Sequence, residues 1–340
     1  MKLLVDASGV GTGGISTYLK AILQNWPKRD QIVVVGLRKS LIAEIELESS
    51  IICVPVNTNR LIGILTTFIQ ILRYQNKADL ILLAGPSITS LAYRRKAIAI
   101  IHDFMFIDKK EFVSWQSRLY RILSNWSTLN KCQKIVLVSQ FTANRYFSLY
   151  GNKNRESLIL SPTACLSKIM DPIDQVANLI FSGMKIVVVP AHSSNKGSKW
   201  AIQSLPYLAP NVVLVLLTGK SKRHEKRDDI GNRIVFLNWI SREQYSWLLS
   251  IASCMLFLSE YEGFGIPVLE CKAVGLPIII SEEPSLVEAS QGYASIVKQE
   301  DSKQVAEHVN SIMNSDYEKK AFPIPSWGEL IGKLSHFAKS

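Results

Sequence analysis

Several features that mark common classes of protein are absent from this sequence. Its five cysteines include no C-x-x-C pair and its five histidines lack metal-ligand spacing, which argues against a zinc site or a disulfide framework. No D-x-D sequence occurs, so no carboxylate pair for a bound cation is indicated. No apolar run is long enough to span a bilayer, and strand-like sequence begins at once. We therefore expect neither a membrane-spanning helix nor a signal peptide.

The composition is that of a globular protein with more than one core. The chain has 340 residues, of which 47% are hydrophobic and 20% are charged. A chain of this length exceeds one ordinary hydrophobic core, so two domains are expected.

Positive charge is concentrated in the first half of the chain. The formal net charge is +11, and residues 1–165 carry 21 lysines and arginines against 10 acidic residues, whereas the remainder carries 18 of each. Such asymmetry suggests that the first half faces an anionic surface, either nucleic acid or acidic lipid. Solubilising charge is an equally good interpretation. No helix-turn-helix, zinc-finger or RNP-like motif supports nucleic acid.

Short, near-continuous apolar strands alternate with helical stretches along the chain. This pattern is typical of parallel sheets covered on both faces, and it predicts an α/β protein. It falters in "CLSKIMDPIDQVANLIFSG" and then restarts, so we place a boundary near residue 166. The predicted regions are two Rossmann-like domains, 1–165 and 166–322, followed by an amphipathic C-terminal helix within 323–340.

Two basic, aromatic-rich stretches of the first half have alternative interpretations. "NTNRLIGILTTFIQILRYQNK" predicts a helix with a broad apolar face and basic ends. It either faces the core or contacts a membrane, with its basic residues near lipid head groups. Trp115, Tyr120 and Trp126 lie among basic residues and either extend that surface or are ordinary core aromatics.

The stretch "KLLVDASGVGTGGISTYLKAIL" contains Gly9, Gly11 and Gly14 in G-x-G-x-x-G spacing. Alone, this fingerprint is a weak signal for a dinucleotide. The second strand ends in Arg38-Lys39 rather than in an acid, so an NADP-dependent oxidoreductase is the alternative that these glycines leave open.

The most specific stretch is "LFLSEYEGFGIPVLECKAVGLPIIIS". It predicts a buried strand, a glycine turn and a helix that begins near Pro267 and ends at Gly275. The exposed N-terminus of such a helix binds anions. Glu262 is predicted in the turn and Glu270 in the first helical turn. Carboxylates beside a phosphate site suit a ligand that also carries hydroxyls, such as a sugar nucleotide.

"EGFGIPVLE", "AVGLPIIIS" and "PSLVE" resemble the signature of the retaining glycosyltransferases of family 4, which have the GT-B fold. Further similar stretches are "GGISTYLKAIL", "IHDF", "VSQFTANRY", "FLNWISREQYSWLLSIASCMLFLS" and the terminal "SWGELIGKLSHFA". The resemblance covers most of the chain. It implies a deep cleft between two Rossmann-like domains, with the first binding the acceptor, the second binding the nucleotide sugar, and a C-terminal helix crossing back to the first.

The resemblance also implies roles for individual residues. His102, Glu262 and Lys196 would be catalytic, with Lys196 neutralising the diphosphate and Glu262 contacting the transferred sugar. Glu270 would hold the ribose hydroxyls, and Asp103 would contribute to the acceptor side. The residues near Trp239 and Ile240 would flank the base. The donor-binding set is Gly13, Gly14, Lys196, Phe264, Gly265, Ile266 and Glu270.

The chain also departs from the family pattern. Pro190-Ala191-His192 stands where the family has a Gly-Arg pair before the lysine, so Lys199 or Lys220 would have to assist Lys196. The resemblance implies metal-independent hexosyl transfer with retention and no cofactor. With the basic first half, it suggests bacterial surface polysaccharide assembly on a lipid carrier, by a cytoplasmic enzyme held peripherally at the anionic inner membrane. The donor's base and sugar stay open.

Overall fold

The structure is a computed structural model that describes residues 1–11, 13–45, 48, 50–56, 60–94, 97–151, 155–169, 172–219 and 233–340. The chain divides into two compact units. Unit 1 comprises residues 1–162 and 325–340, and unit 2 comprises residues 163–324. The acceptor-binding and donor-binding roles assigned to two domains from the sequence stay predictions.

Unit 1 is built on a parallel sheet of seven strands within the described residues. Its elements before residue 162 are β1 (Lys2–Asp6), α1 (Gly14–Asn25), β2 (Gln31–Arg38), α2 (Lys39–Ile45), β3 (Ile52–Val56), α3 (Arg60–Tyr74), β4 (Leu80–Leu83), β5 (Ala97–Ile101), α4 (Met105–Asp108), α5 (Trp115–Lys131), β6 (Lys134–Leu137), α6 (Gln140–Tyr150) and β7 (Glu156–Ile159).

The strand order in unit 1 is β3-β2-β1-β4-β5-β6-β7, and neighbouring strands are parallel. Every residue of β4 and β5 is buried, which explains why these strands are apolar without alternation. Helices α3, α5 and α6 contribute side chains to one core cluster against this sheet, and α1 contacts α2. The strand order with the usual right-handed crossovers puts these two groups on opposite faces. Both α3 and α5 pack against the short 3-10 helix Ile88–Ala92.

Unit 2 has a six-stranded parallel sheet in the order β10-β9-β8-β11-β12-β13 within the described residues. Its central strand β11 is buried along its whole length, and Cys254 and Leu256 of this strand belong to the core cluster on one face. Its elements are α7 (Asp174–Phe181), β8 (Lys185–Pro190), α8 (Ser198–Ser204), β9 (Val212–Leu217), β10 (Ile234–Leu237), α9 (Arg242–Ile251), β11 (Cys254–Phe257), α10 (Ile266–Val274), β12 (Ile278–Ser281), α11 (Pro284–Ser290), β13 (Ser295–Val297) and α12 (Ser302–Asn314).

The chain ends in helix α13 (Trp327–Lys339), which belongs to unit 1 and packs against α1. A capping box between Ser326 and Glu329 fixes its start. Its apolar face is buried through Leu330, Ile331 and Leu334. The predicted two-domain α/β architecture and the returning C-terminal helix are therefore confirmed.

Candidate functional site

The connection between β11 and α10 has the strand, turn and helix that its glycines and proline predict. Gly265 adopts φ 107°, a left-handed conformation that favours glycine. A Cβ atom there would also lie 2.5 Å from Cδ2 of Leu286. Helix α10 begins at Ile266, with Pro267 in its first turn. The N-terminus of this helix, at the positive end of its dipole, provides the electropositive end of the site.

Glu270 lies beyond the first turn of α10, because the helix begins at Ile266 and its first turn holds no acidic residue. The prediction that placed this carboxylate in the first turn is therefore wrong. Its side chain is buried against α9 instead of lying at the electropositive helix end.

Lys196 and Glu262 form a nearly buried ion pair, although 66 positions separate them in the sequence. The Lys196 Nζ atom donates to Glu262 Oε1 at 2.5 Å, and the side chains are 13% and 14% exposed. Ser259 Oγ donates to the same carboxylate oxygen at 2.7 Å. The ammonium also lies 5.3 Å from the ring centroid of Phe257. These contacts fix the orientation of both charged groups.

Strand order explains why these two residues meet. Lys196 follows β8 and Glu262 follows β11, and these strands are neighbours in the parallel sheet. Their carboxyl ends share one edge, where open α/β sheets bind ligands. Gly197, at φ 68°, passes so close to the backbone that an added Cβ would lie 1.8 Å from the carbonyl oxygen of Leu258. Only glycine fits there, and its placement determines where Lys196 lies.

Two residues of α9 hold the Glu270 carboxylate. Arg242 Nη1 donates to Oε1 at 3.0 Å, and the Tyr245 hydroxyl donates to Oε2 at 2.9 Å. Burial raises the pKa of Glu270 above its ordinary value, although Arg242 and Tyr245 both act to lower it. Neither residue was singled out from the sequence, because nothing in the chain marks a pairing over 25 or more positions.

The two lysines expected to assist Lys196 at the diphosphate, Lys199 and Lys220, differ in what the structure describes of them. Lys199 Nζ lies 2.8 Å from Glu260 Oε1 and is half exposed, so a carboxylate already engages it. Lys220 falls outside the described residues. Trp239, expected near the base, is 59% exposed.

In unit 1 the glycine loop follows β1 at the carboxyl edge of the sheet. Buried Asp6 anchors the start of the loop by accepting hydrogen bonds from Ser8, Thr89 and Tyr93. A Cβ at Gly9 would lie 2.4 Å from the carbonyl oxygen of Gly85. The first glycine of the fingerprint therefore serves backbone packing against the loop after β4.

The later glycines of this loop are open to their surroundings. Gly13 has φ 89°, and an added Cβ would meet nothing within 4 Å. Gly14 is the first residue of α1, and Gly13 is its N-cap. Both are exposed, so backbone N–H groups at this helix start are accessible.

His102 lies just after β5, at the same sheet edge as the glycine loop. Its Nε2 atom is 2.8 Å from the carbonyl oxygen of Ala84, so Nε2 carries the proton and Nδ1 is the acceptor in the neutral ring. Burial lowers its pKa. The ring packs edge-on against Tyr18 at 5.7 Å between centroids.

Asp103 contacts helices α4 and α5. Its Oδ1 accepts from the Met105 N–H at 3.0 Å and lies 3.8 Å from Arg121 Nη1. The carbonyl of Ala84, rather than this carboxylate, is therefore the hydrogen-bond partner that orients the imidazole of His102.

Two further features are absent from the residues that the structure describes. No cluster of three or more histidine, cysteine or acidic side chains in that part of the chain is arranged to hold a metal ion. Over the same ranges, no helix combines the length and hydropathy needed to cross a membrane.

Two family models match the chain. The Glycosyltransferase Family 4 model covers residues 12–160, and the Glycosyl transferases group 1 model covers residues 174–323. Together they account for most of both units.

Among curated proteins, O-antigen chain mannosyltransferase B of Escherichia coli is 22% identical over 265 residues, which are 72% of this chain and 66% of the relative. Alpha-1,3/1,6-mannosyltransferase ALG2 of Dictyostelium discoideum is 30% identical over 115 residues, which are 34% of this chain and 27% of the relative. The chain thus spans less than two thirds of the length of these curated relatives.

Solved structures resemble the whole chain. HepE of Anabaena, crystallised with UDP and glucose, has a TM-score of 0.72 at 17% identity, over 100% of this chain and 95% of that one. WaaG, a glycosyltransferase involved in lipopolysaccharide biosynthesis, has a TM-score of 0.68 at 13% identity, over 100% and 95%. At such identities the likeness is one of fold.

Proposed function

The chain belongs to the glycosyltransferases of the GT-B fold, and on that premise we propose that it moves a hexosyl unit from a nucleoside-diphosphate sugar to an acceptor hydroxyl with retention of configuration. The ion pair between Lys196 and Glu262, beside the N-terminus of α10, carries this proposal. It combines a cation for a diphosphate with a carboxylate for sugar hydroxyls. NADP also carries a diphosphate and ribose hydroxyls, so the two family models, rather than this ion pair, disfavour an NADP-dependent oxidoreductase.

The proposed chemistry is stabilisation of the leaving group. Breaking the anomeric C–O bond builds negative charge on the diphosphate. The Lys196 ammonium has three N–H donors, of which one is used by Glu262, so two are left for phosphate oxygens. The amides of Phe264, Gly265 and Ile266 would add their dipoles. Preorganised donors of this kind are the largest electrostatic contribution to many such reactions.

Glu262 suits a role in holding the sugar better than one as a covalent nucleophile. Lys196 and Ser259 already donate to one of its oxygens, which lowers its nucleophilicity and leaves the other oxygen to accept from sugar hydroxyls. We therefore assign retention to attack on the same face from which the diphosphate leaves. His102, neutral and with Nδ1 as acceptor, is assigned to the hydroxyls of the sugar or acceptor.

The donor site is tested by thermal unfolding with UDP, GDP, dTDP and NADPH. We expect one nucleoside diphosphate to stabilise the protein, by about 2.7 kcal/mol at a hundredfold excess over Kd. Glu270→Gln should weaken this effect, whereas Glu307→Gln, on the exposed face of α12, should not. Stabilisation by NADPH alone would contradict the proposal. Product NMR reports retention, and transfer is expected to persist in EDTA.

The proposed acceptor is a saccharide on a lipid carrier at an anionic membrane, which unit 1 would contact through an apolar patch. On α5 the buried side is polar, since Ser127 and Thr128 hydrogen-bond to Ser90 and Ser87. Five of its large apolar side chains face solvent with 40% to 72% exposure. They are Trp115, Leu119, Ile122, Leu123 and Trp126.

The patch continues onto the neighbouring elements. Helix α3 exposes Leu61, Ile62, Leu65 and Ile69, and Leu91 of the 3-10 helix between α3 and α5 is 41% exposed. Exposed basic residues flank it, namely Arg73, Lys77 and Lys131. An exposed apolar patch of this size marks an interaction site. Because residues 1–165 carry surplus positive charge, the partner that this patch fits is an anionic lipid surface. This supports a peripheral enzyme on the cytoplasmic face, assembling a bacterial surface polysaccharide.

Vesicle sedimentation tests this partner. We expect binding that needs anionic lipid, falls with salt, and drops about tenfold in a Trp115→Ser, Trp126→Ser double variant. Trp239→Ser, which removes an equally exposed tryptophan from unit 2, is the matched control. Binding that is indifferent to lipid charge and to salt would contradict the membrane proposal. So would a dimer in light scattering that the double variant abolishes.

A further inference from the structure

We propose that Arg242 and Tyr245 are positioning residues that keep Glu270 ionised and aimed at a ribose hydroxyl of the donor. The inference rests on the proposed function, because it concerns the same nucleotide site. It adds two residues that the resemblance to the family does not assign.

The first step is the burial of Glu270. Its side chain is 3% exposed, and a carboxylate in such a place is costly to ionise without donors. An ionised carboxylate makes a charge-assisted hydrogen bond to a ligand hydroxyl, which is roughly twice as strong as the neutral hydrogen bond of a protonated carboxyl. A strong hold on ribose by Glu270 therefore requires groups that keep it charged.

The second step is the set of donors around it. Arg242 Nη1 lies 3.0 Å from Oε1, and the Tyr245 hydroxyl lies 2.9 Å from Oε2. The backbone of Cys165 also hydrogen-bonds to the carboxylate, and Arg242 Nη1 donates to the Cys165 carbonyl at 3.3 Å. A carboxylate has about four acceptor positions, so three protein donors leave one for a ligand.

The third step is the local structure that places the two side chains together. Ser241 and Gln244 form a capping box that fixes the first turn of α9. Arg242 and Tyr245 are three positions apart on this helix, so they lie on one side of it. Arg242 is the more accessible partner of this ion pair, because its side chain is 41% exposed whereas that of Glu270 is almost fully covered.

Among the described residues, the segments around this carboxylate also carry Lys272 on α10, Glu243 on α9, and Lys319, which acts electrostatically on Cys271. Buried Cys271 is its neighbour on α10, and burial raises the pKa of that thiol, so it stays neutral. Helix α11, which also packs against α10, carries Glu288 as its titratable residue. Burial disfavours the charged form of Arg242, but Glu270 outweighs it and raises the pKa of the guanidinium. Arg242 is thus the cation that keeps Glu270 charged.

The experiment compares ribonucleotides with their 2′-deoxy analogues across a range of pH. Calorimetry measures Kd for UDP with dUDP, and for GDP with dGDP, in the wild type, Arg242→Gln, Arg242→Lys and Tyr245→Phe. The wild type should prefer the ribonucleotide by about 10- to 100-fold, the effect of one hydrogen bond to a charged group. In Arg242→Gln this preference should fall near neutral pH and return as pH rises, because Glu270 then ionises only at higher pH. Arg242→Lys should restore part of it, and Tyr245→Phe should shift the profile in the same direction by less.

Two results would overturn the inference while leaving the transferase proposal intact. One is an Arg242→Gln variant with the same ribose preference and pH profile as the wild type. The other is a wild type that binds a nucleoside diphosphate without distinguishing ribose from deoxyribose. A wild type that binds none of the four nucleotides would overturn the proposed function, and this inference with it.

Discussion

Replacing Lys196 with methionine is expected to lower both the stability of unit 2 and the rate of transfer. The change keeps most of the side-chain volume and removes only the charge. It leaves Glu262 in a nearly buried position with one remaining donor, Ser259. An uncompensated carboxylate is therefore the main consequence.

The size of the effect follows from the exposure of the pair. Removing one partner of a fully buried ion pair costs about 3–5 kcal/mol, whereas an exposed pair contributes about 0–1 kcal/mol. Here the side chains of Lys196 and Glu262 are 13% and 14% exposed, and Ser259 keeps its hydrogen bond. We expect a loss of about 2–3 kcal/mol, which for a unit of this size lowers Tm by about 4–12 °C. Transfer should slow by about 10²- to 10³-fold.

A double-mutant cycle measures the pair itself. Lys196→Met, Glu262→Gln and the double variant are compared by thermal unfolding, and the double variant should lose about 1–2 kcal/mol less than the sum of the single variants. Lys199→Met is the matched control, because that lysine also pairs with a carboxylate but is 53% exposed. It should change stability by less than about 0.5 kcal/mol. Additive single effects, or a Lys196 variant as mild as the control, would refute the reasoning.

Three further predictions address the scaffold around the site. Gly197→Ala should cost more than about 2 kcal/mol of stability in thermal unfolding, because its Cβ would overlap the Leu258 carbonyl. Gly183→Ala, which has a similar φ of 76° but open space around it, should cost only about 1 kcal/mol. Equal costs would contradict the steric argument. Tyr18→Phe should cost about 1 kcal/mol, since the buried hydroxyl donates to the Leu160 carbonyl at 3.1 Å, and an unchanged Tm would count against it. His102 should titrate below 6.5 in NMR, because burial lowers its pKa. As pH falls, the unfolded chain therefore binds a proton at His102 before the folded protein does, and the stability that this residue contributes should be lost as pH falls below 6.5. A titration midpoint for His102 above 6.5 would contradict this prediction.

Much of the fold was predictable because its signals are local. Continuous apolar runs predicted parallel strands buried on both faces, and the glycines and proline of "EGFGIP" predicted the turn before α10. The helix of "RLIGILTTFIQILRY" was predicted too, but not which of its sides faces the core. In α5 the usual pattern is largely reversed, since Ser127 and Thr128 are buried and hydrogen-bond to Ser90 and Ser87 while the tryptophans face solvent. Hydrophobic periodicity cannot identify such a reversal.

By itself, the sequence determined the alternation of strands and helices, the glycine turn, the uneven charge and the kinds of side chain that gather at the sheet edges. These depend on backbone preferences and composition within a few neighbouring residues. Only the tertiary structure decided that Lys196 meets Glu262, that Glu270 is buried under Arg242 and Tyr245, and that Gly9 packs against Gly85. The reason is that strand order and helix packing bring distant segments together, and no short stretch of sequence specifies them.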